Sequence, residues 1–310
     1  MTDNFLISLR NDTGCGCPGT SFGPAAAYMQ IPESNTTYDL QKQIQKTDWL
    51  AHISDTTVLV FVHGFGNDAS KVVARHNSIK GHVPPGITLV SFDWPSGNSG
   101  FWAYRDDKQN AAMSVSNFND DCLQVLLGSG KFEPANIHVF AHSMGAYVTE
   151  AALQTPKVYT LGHVLLAAAD VDQAHYKDGA PQLKNLLGHC SDLTVYLSAD
   201  DQALTESQNM PINQGAVPLG LKGFPDLLIP ARCFSIDCKP YYESYVQNSP
   251  PPPNVSSEEF SHVWYLLYAP PPPPVNDFYT DMREVLQGLP TSPTRASKGI
   301  NKFELQRPKA

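Results

Sequence analysis

Apolar residues in this chain fall in short runs separated by longer stretches of mixed character, and through the middle of the chain the alternation is regular. Residues Val58 to Val62, Thr88 to Phe92, Ile137 to Ala141, Val164 to Ala169 and Leu193 to Leu197 are short, largely β-branched or aromatic runs and read as buried strands. Helical patterns lie between them, over 68–79, 107–127, 145–154 and 181–188. Strands that alternate with covering helices imply an α/β fold with a mostly parallel central sheet and helices on both faces. Residues 1–55 read as an N-terminal extension packed on that core, with strand-like pieces at Phe5 to Leu9 and Ala27 to Ile31. The sheet domain is expected over 56–290, and the basic tail 291–310 is expected to fray. Two proline runs, Pro250 to Pro253 and Pro270 to Pro274, cannot join a central sheet and read as spacers on either side of His262. No internal repeat is visible.

One strand leads directly into chemistry. Ile137 to Ala141 runs into His142, Ser143, Met144 and Gly145, and helix formers follow from Ala146 to Leu153. A strand, a tight turn with serine at its apex and a helix make up the setting of a nucleophilic serine. Small residues are needed two before and two after the serine, because strand and helix approach closely there. Gly145 meets that need; Ala141 stands where glycine is usual, so the turn is expected to be slightly wider. The same turn sets the Met144 amide beside Oγ as an oxyanion donor. A second glycine-rich turn, His63 to Asn67, follows the strand 58–62, and glycine there lets a backbone N–H turn toward developing charge.

The late strand 193–197 ends in Ser198, Ala199, Asp200 and Asp201, and only one histidine, His262, follows Asp201. If the acid lies at this strand end, a serine–acid–histidine order exists with no choice of base. Asp170, one strand earlier, is a rival acid. Asp200 is a nearer one, and side-chain alternation lets only one of the adjacent pair face His262. His142 reads as a packed neighbour and His63 as a holder of its loop, while His163, His175 and His189 precede the acid and carry no motif. Trp94, Phe101, Trp102 and Tyr104 either line a substrate pocket or pack the core; Trp94 and Tyr104 are taken as the substrate-binding pair.

Composition narrows the classes. At 310 residues, with 42% apolar and 16% charged positions, the chain is of ordinary globular make-up. A formal charge of −9 lacks the basic footprint of a nucleic-acid binder. No secretory leader is visible, and no apolar run nears the roughly 20 residues that span a bilayer, so a soluble, cytoplasmic protein is expected. Six cysteines include Cys15 and Cys17, with Cys233 and Cys238 far downstream, at spacings that miss the paired C-x2-C pattern of zinc sites. Reduced thiols or a local disulfide, and no metal, are expected.

Taken together, these residues resemble the α/β-hydrolase-fold serine hydrolases, and within them an esterase/lipase-like branch. The resemblance covers roughly residues 57 to 267. It rests on His63 to Asn67, on Phe92 to Gly97 with Tyr104 and Asp107, on Ala141 to Gly145, on Ala168 to Asp172 and on Tyr196 to Leu204. It implies that the acid is Asp201, the aspartate followed by one residue and then Ala203-Leu204, and that His262 is the histidine. It further implies Phe65 and Met144 as the oxyanion amides, a small-molecule ester as substrate and no cofactor. Lipase, thioesterase, amidase or acyltransferase chemistry would use the same residues, and a non-catalytic binding module of this fold is the reading from another class.

Overall fold

The computed structural model describes residues 3–98, 102–226, 229–267, 276–289 and 293–307. Phe101 and the second proline run lie outside them. Among the described residues the strands are β1 (Asp3–Asp12), β2 (Pro18–Pro32), β3 (Thr57–Val62), β4 (Ile87–Asp93), β5 (Ile137–His142), β6 (Leu161–Ala167), β7 (Cys190–Leu197), β8 (Cys233–Asp237), β9 (Arg295–Gly299) and β10 (Lys302–Leu305). They form a single sheet in the order β2-β1-β4-β3-β5-β6-β7-β8-β10-β9. Every neighbouring pair is parallel except the outermost two, β1 with β2 and β10 with β9.

The helices are α1 (Lys46–His52), α2 (Ala69–Lys80), α3 (Ala103–Asn117), α4 (Gln124–Gly128), α5 (Met144–Ala152), α6 (Pro181–His189), α7 (Gln202–Asn209), α8 (Leu219–Lys222), α9 (Lys239–Tyr241), α10 (Ser257–Leu267) and α11 (Asp277–Leu286). Side chains alternate across the sheet as strand geometry requires. On β3, Val58, Val60 and Val62 join a core with Trp49, Phe118, Val148 and Leu186. Leu59 and Phe61 point into a second core with Ile79, Trp264 and Phe278. The sheet is thus covered on both faces, by α1, α5 and α6 on one and by α2, α10 and α11 on the other.

Several sequence expectations need correction. The first 55 residues supply part of the sheet itself. Phe5, Ile7 and Leu9 of β1 enter the core that holds Trp49, while Leu6 packs with Met29, Val72 and Val73 on the opposite side. A strand buried on both faces is interior sheet, and β2 closes its free edge. The tail also departs from expectation. Lys302 to Glu304 pair in parallel with Ser235 to Asp237, and Leu305 is 2% exposed. Arg295 anchors the turn on Asp281 at 2.6 and 2.8 Å, so basic residues that suggested a solvated end have buried partners. The strand expected over 164–169 runs over 161–167, because Ala168 has a positive φ of 48° that ends it. The helical pattern over 107–127 is broken by a wide π turn, Phe118–Leu123, between α3 and α4. No helix among the described residues is long and apolar enough to cross a membrane.

Candidate active site

Ser143 sits between β5 and α5 with φ 56° and ψ −125°, a conformation that costs a non-glycine residue of order 1–3 kcal/mol and persists only when its surroundings enforce it. They do so through the backbone. The Ser143 N–H donates to Ala167 O at 3.0 Å, and its carbonyl accepts from Ala146 at 3.0 Å and Asp170 at 3.1 Å. A Cβ on Gly145 would stand 2.2 Å from Val62 O and 2.6 Å from His63 O, so α5 lies against the end of β3 and only glycine fits. Gly64 is under the same constraint from the other turn, where a Cβ would be 2.6 Å from Ser143 Cβ. The two turns picked out in the sequence are therefore in contact.

Met144 opens α5, where the leading amides have no intrahelical acceptor. In the His63–Asn67 turn, Gly66 N–H donates to Asp107 Oδ2 at 3.1 Å and Asn67 N–H to Ser96 Oγ at 3.3 Å. Asn67 Nδ2 donates to Gly64 O at 2.7 Å and Phe65 O at 3.0 Å. The turn's own bonds thus use its carbonyls and the amides beyond Phe65. Asp107, buried on α3, also accepts from Ser96 Oγ at 2.7 Å and from Gly97 N–H at 3.0 Å. It ties the turn to the segment after β4 and so positions it.

Asp201 is buried at the N-terminus of α7, and each of its oxygens has a separate task. Oδ1 accepts from Leu204 N–H at 2.9 Å, a helix cap, and Oδ2 pairs with His262 Nδ1 at 2.8 Å. The cap gives the Asp201–Leu204 spacing a physical basis. Ser261 Oγ accepts from Gln202 N–H at 3.1 Å, which ties the start of α7 to α10 beside the histidine. The rival carboxylates are engaged elsewhere. Asp170 accepts from Tyr104 Oη and Ser207 Oγ, both at 2.7 Å, and Asp200 pairs with Lys239 at 2.5 Å.

Ser143 and His262 line one cavity of about 410 Å³, shared with Phe65, Tyr104, Leu204 and Met210. Among the described residues no hydrogen bond joins Ser143 Oγ to the imidazole; such bonds are often long in unliganded sites and tighten with substrate. His142 Nε2 donates to His262 O at 3.0 Å, and the two rings lie 4.7 Å apart. Burial, followed by the nearby charges of His262 and Arg75, pushes the His142 imidazole far below its ordinary pKa, so it stays neutral and supports the His262 backbone.

Trp94 does not line the cavity. It is fully buried, stacks on His63 at 4.9 Å and donates Nε1 to His63 O at 2.8 Å. An aromatic ring with one polar atom is satisfied in the core as readily as in a pocket, and here a strand-end carbonyl satisfies it. Tyr104 does line the cavity, edge-on to Phe65 at 5.5 Å. His63 itself pairs with Asp93 at 3.0 Å out of reach of solvent. Of the cysteines, Cys15 and Cys17 are exposed on the β1–β2 turn near one sheet edge. Cys233 and Cys238 are buried at the two ends of β8 toward the other, so these pairs do not meet. Sequence reasoning missed Arg75, a buried cation of α2 at the cavity wall. Its signal was an arginine in the stripe Val72–Arg75–Ile79, where helical spacing calls for an apolar residue.

A family model described as an alpha/beta hydrolase of unknown function, DUF900, matches residues 37–221, and the chain belongs to that family. No curated protein matches it. Among solved structures, SOBER1 of Arabidopsis thaliana is 11% identical, over 75% of this chain and 98% of that one, with a TM-score of 0.37. Esterase B of Lactobacillus rhamnosis is 10% identical over 85% and 81% of the two chains, with a TM-score of 0.39. An esterase of the bacterial hormone-sensitive lipase family is 14% identical over 76% of each, with a TM-score of 0.38.

Proposed function

We propose that this member of the α/β-hydrolase family is a serine hydrolase that cleaves small carboxylic esters through an acyl-enzyme. The observation that carries the reading is a buried carboxylate, Asp201, holding His262 Nδ1 at 2.8 Å in a cavity that also contains a serine in a strained turn. Ser143 Oγ attacks the acyl carbonyl while His262 Nε2 takes its proton. The tetrahedral oxyanion receives the Phe65 and Met144 amides, each worth roughly 3–4 kcal/mol of barrier where such donors have been removed. As the intermediate collapses, the C–O bond breaks and His262 returns the proton to the departing alkoxide. Water then repeats the sequence on the acyl-Ser143 ester and releases the acid. Asp201 keeps Nδ1 protonated and stabilises the imidazolium.

A cavity of about 410 Å³ suits a small ester, with Tyr104, Phe65 and Met210 as apolar wall. Lipase, thioesterase, amidase and acyltransferase chemistry would draw on the same groups, and carboxylesterase is the first reading. A cytoplasmic setting is part of it, carried over from the sequence. The test is hydrolysis of 4-nitrophenyl butyrate by purified protein, with Ser143→Ala beside it. Turnover by the wild type alone is expected. Equal rates in both would remove Ser143 from the mechanism, and no turnover of any acyl ester would favour the non-catalytic module.

A further inference from the structure

α2 carries a buried charge whose counter-charges, Glu259 and Asp68, act on it only through space. Arg75 is 4% exposed and lines the cavity that contains Ser143, His142 and His262. Among the described residues its guanidinium makes no hydrogen bond and no ion pair. An arginine offers five N–H donors in a fixed fork, and burying it without acceptors is costly. Its neighbours are satisfied without it. One turn back on the same face, Lys71 Nζ reaches Glu259 Oε1 of α10 at 3.7 Å. Asp170 is held by Tyr104 and Ser207. Glu206 and Glu258 are exposed at the cavity mouth, in water.

We propose that Arg75 is a substrate-recognition residue that binds a carboxylate carried by the ester, so that the natural substrates are half-esters of dicarboxylic acids or similar monoanionic esters. This rests on the hydrolase reading above and deepens it. A carboxylate matches the planar fork through two parallel hydrogen bonds, and a site walled from water makes such charge-assisted bonds strong. Burial lowers the Arg75 pKa to about 10, so the group stays charged at neutral pH. The acidic mouth also selects: Glu206, Glu258 and Glu259 repel a ligand of several negative charges, whereas a single compact anion can reach the cation beneath them.

Two measurements test this. The first uses binding alone. Glutaramate, the monoamide of glutarate and therefore a monoanion, at millimolar concentration is expected to raise the melting temperature of wild-type protein and of Ser143→Ala, and not of Arg75→Met. The second compares monoethyl glutarate with ethyl pentanoate, which have the same acyl length and differ in the terminal charge. Wild type is expected to favour the anionic ester in kcat/KM by about 10- to 100-fold, the range a charge-assisted hydrogen bond supplies, and Arg75→Met is expected to collapse that ratio. Arg75→Lys, which keeps charge but loses the fork, should fall between and serves if the methionine variant does not fold. A wild-type preference for the neutral ester, or a ratio unchanged in both variants, would overturn the proposal while leaving Ser143 chemistry intact. Glutaramate stabilisation of Ser143→Ala with no ester turned over would instead keep the anion site and sink the hydrolase reading. Stabilisation that Arg75→Met fully retains would assign the anion to another site.

Discussion

Two histidine–aspartate pairs with similar contact distances lie beyond the carboxyl ends of the strands, one between β3 and β4 and the other between the end of β7 and α10, and their surroundings give them opposite characters. His262 and Asp201 meet at 2.8 Å with the imidazole facing the cavity of Ser143. His63 and Asp93 meet at 3.0 Å, both without solvent exposure. Asp93 also accepts from Arg10, at 2.8 and 2.9 Å, and from Tyr38. Burial alone would push its carboxyl up, but Arg10 and His63 outweigh that and hold it well below the ordinary carboxylate range. The sealed pair is locked by a permanent counter-charge and has no substrate proton to accept; through His63, stacked on Trp94, it fixes the turn that bears Phe65. The open pair has one free imidazole edge. A carboxylate–imidazole pair becomes a proton shuttle only where that edge meets a nucleophile and a ligand.

The contrast is sharpest where the open pair is broken. Ser143→Ala and His262→Ala are each expected to lower turnover by on the order of 10⁶-fold, and by about as much in combination, because the groups act as a unit. Steady-state rates on one activated ester measure this. Asp201→Asn should cost on the order of 10⁴-fold in turnover by favouring the wrong imidazole tautomer. Asp170→Asn, whose carboxylate serves Tyr104 and Ser207, should cost far less, and Asp200→Asn should act mainly through stability. Kinetics of the three aspartate variants decide the acid, and a crippled Asp170→Asn would move it to the preceding strand.

Breaking the sealed pair should show up in folding instead. Asp93→Asn leaves Arg10 buried without its counter-charge and is expected to lose about 3–5 kcal/mol of stability in urea unfolding, with turnover per folded molecule much less affected. The pH dependence has a definite sign. Because the folded Asp93 pKa lies below its ordinary value of 3.8, its contribution to stability is complete above that value and drains away as pH falls through the depressed one. Acid unfolding of the wild type below about pH 4 should therefore be steeper than that of Asp93→Asn. Equal slopes would mean that Asp93 does not carry the acid sensitivity. The smallest effect is expected from chelation: EDTA should leave ester hydrolysis unchanged, since the proposed chemistry uses side chains and amides alone, and activity restored by added zinc would contradict it.

What could be read from the sequence follows from which interactions are local. Buried parallel strands are continuous apolar runs, so β3, β4, β5 and β7 were visible, and the turn after β5 was marked by the small residues its close approach needs. Asp201 is singled out by the resemblance, through the aspartate followed by one residue and then Ala203-Leu204, and the capping bond to Leu204 gives that spacing a physical basis within one turn of helix. The rest depends on distant partners. β1 and β2 looked like an appendage because their neighbours on the sheet, β4 and each other, are found only by long-range pairing. The tail pairs with β8 through residues whose sequence is polar. Trp94 reads the same in a pocket or a core until the His63 carbonyl is seen to accept from it. Arg75 was hidden for a related reason: whether a helix arginine faces water or a cavity depends on α10 packing across from it.

The central claim is that Ser143 is activated by the open pair and that the sealed pair only supports the site. Labelling with a fluorophosphonate, followed by mass-spectrometric mapping of the modified peptide, measures that activation directly. One phosphonyl group on Ser143 is expected in wild type, with labelling retained in folded Asp93→Asn and lost in His262→Ala. Labelling of another serine, no labelling of folded wild-type protein, or full labelling of His262→Ala would contradict the account.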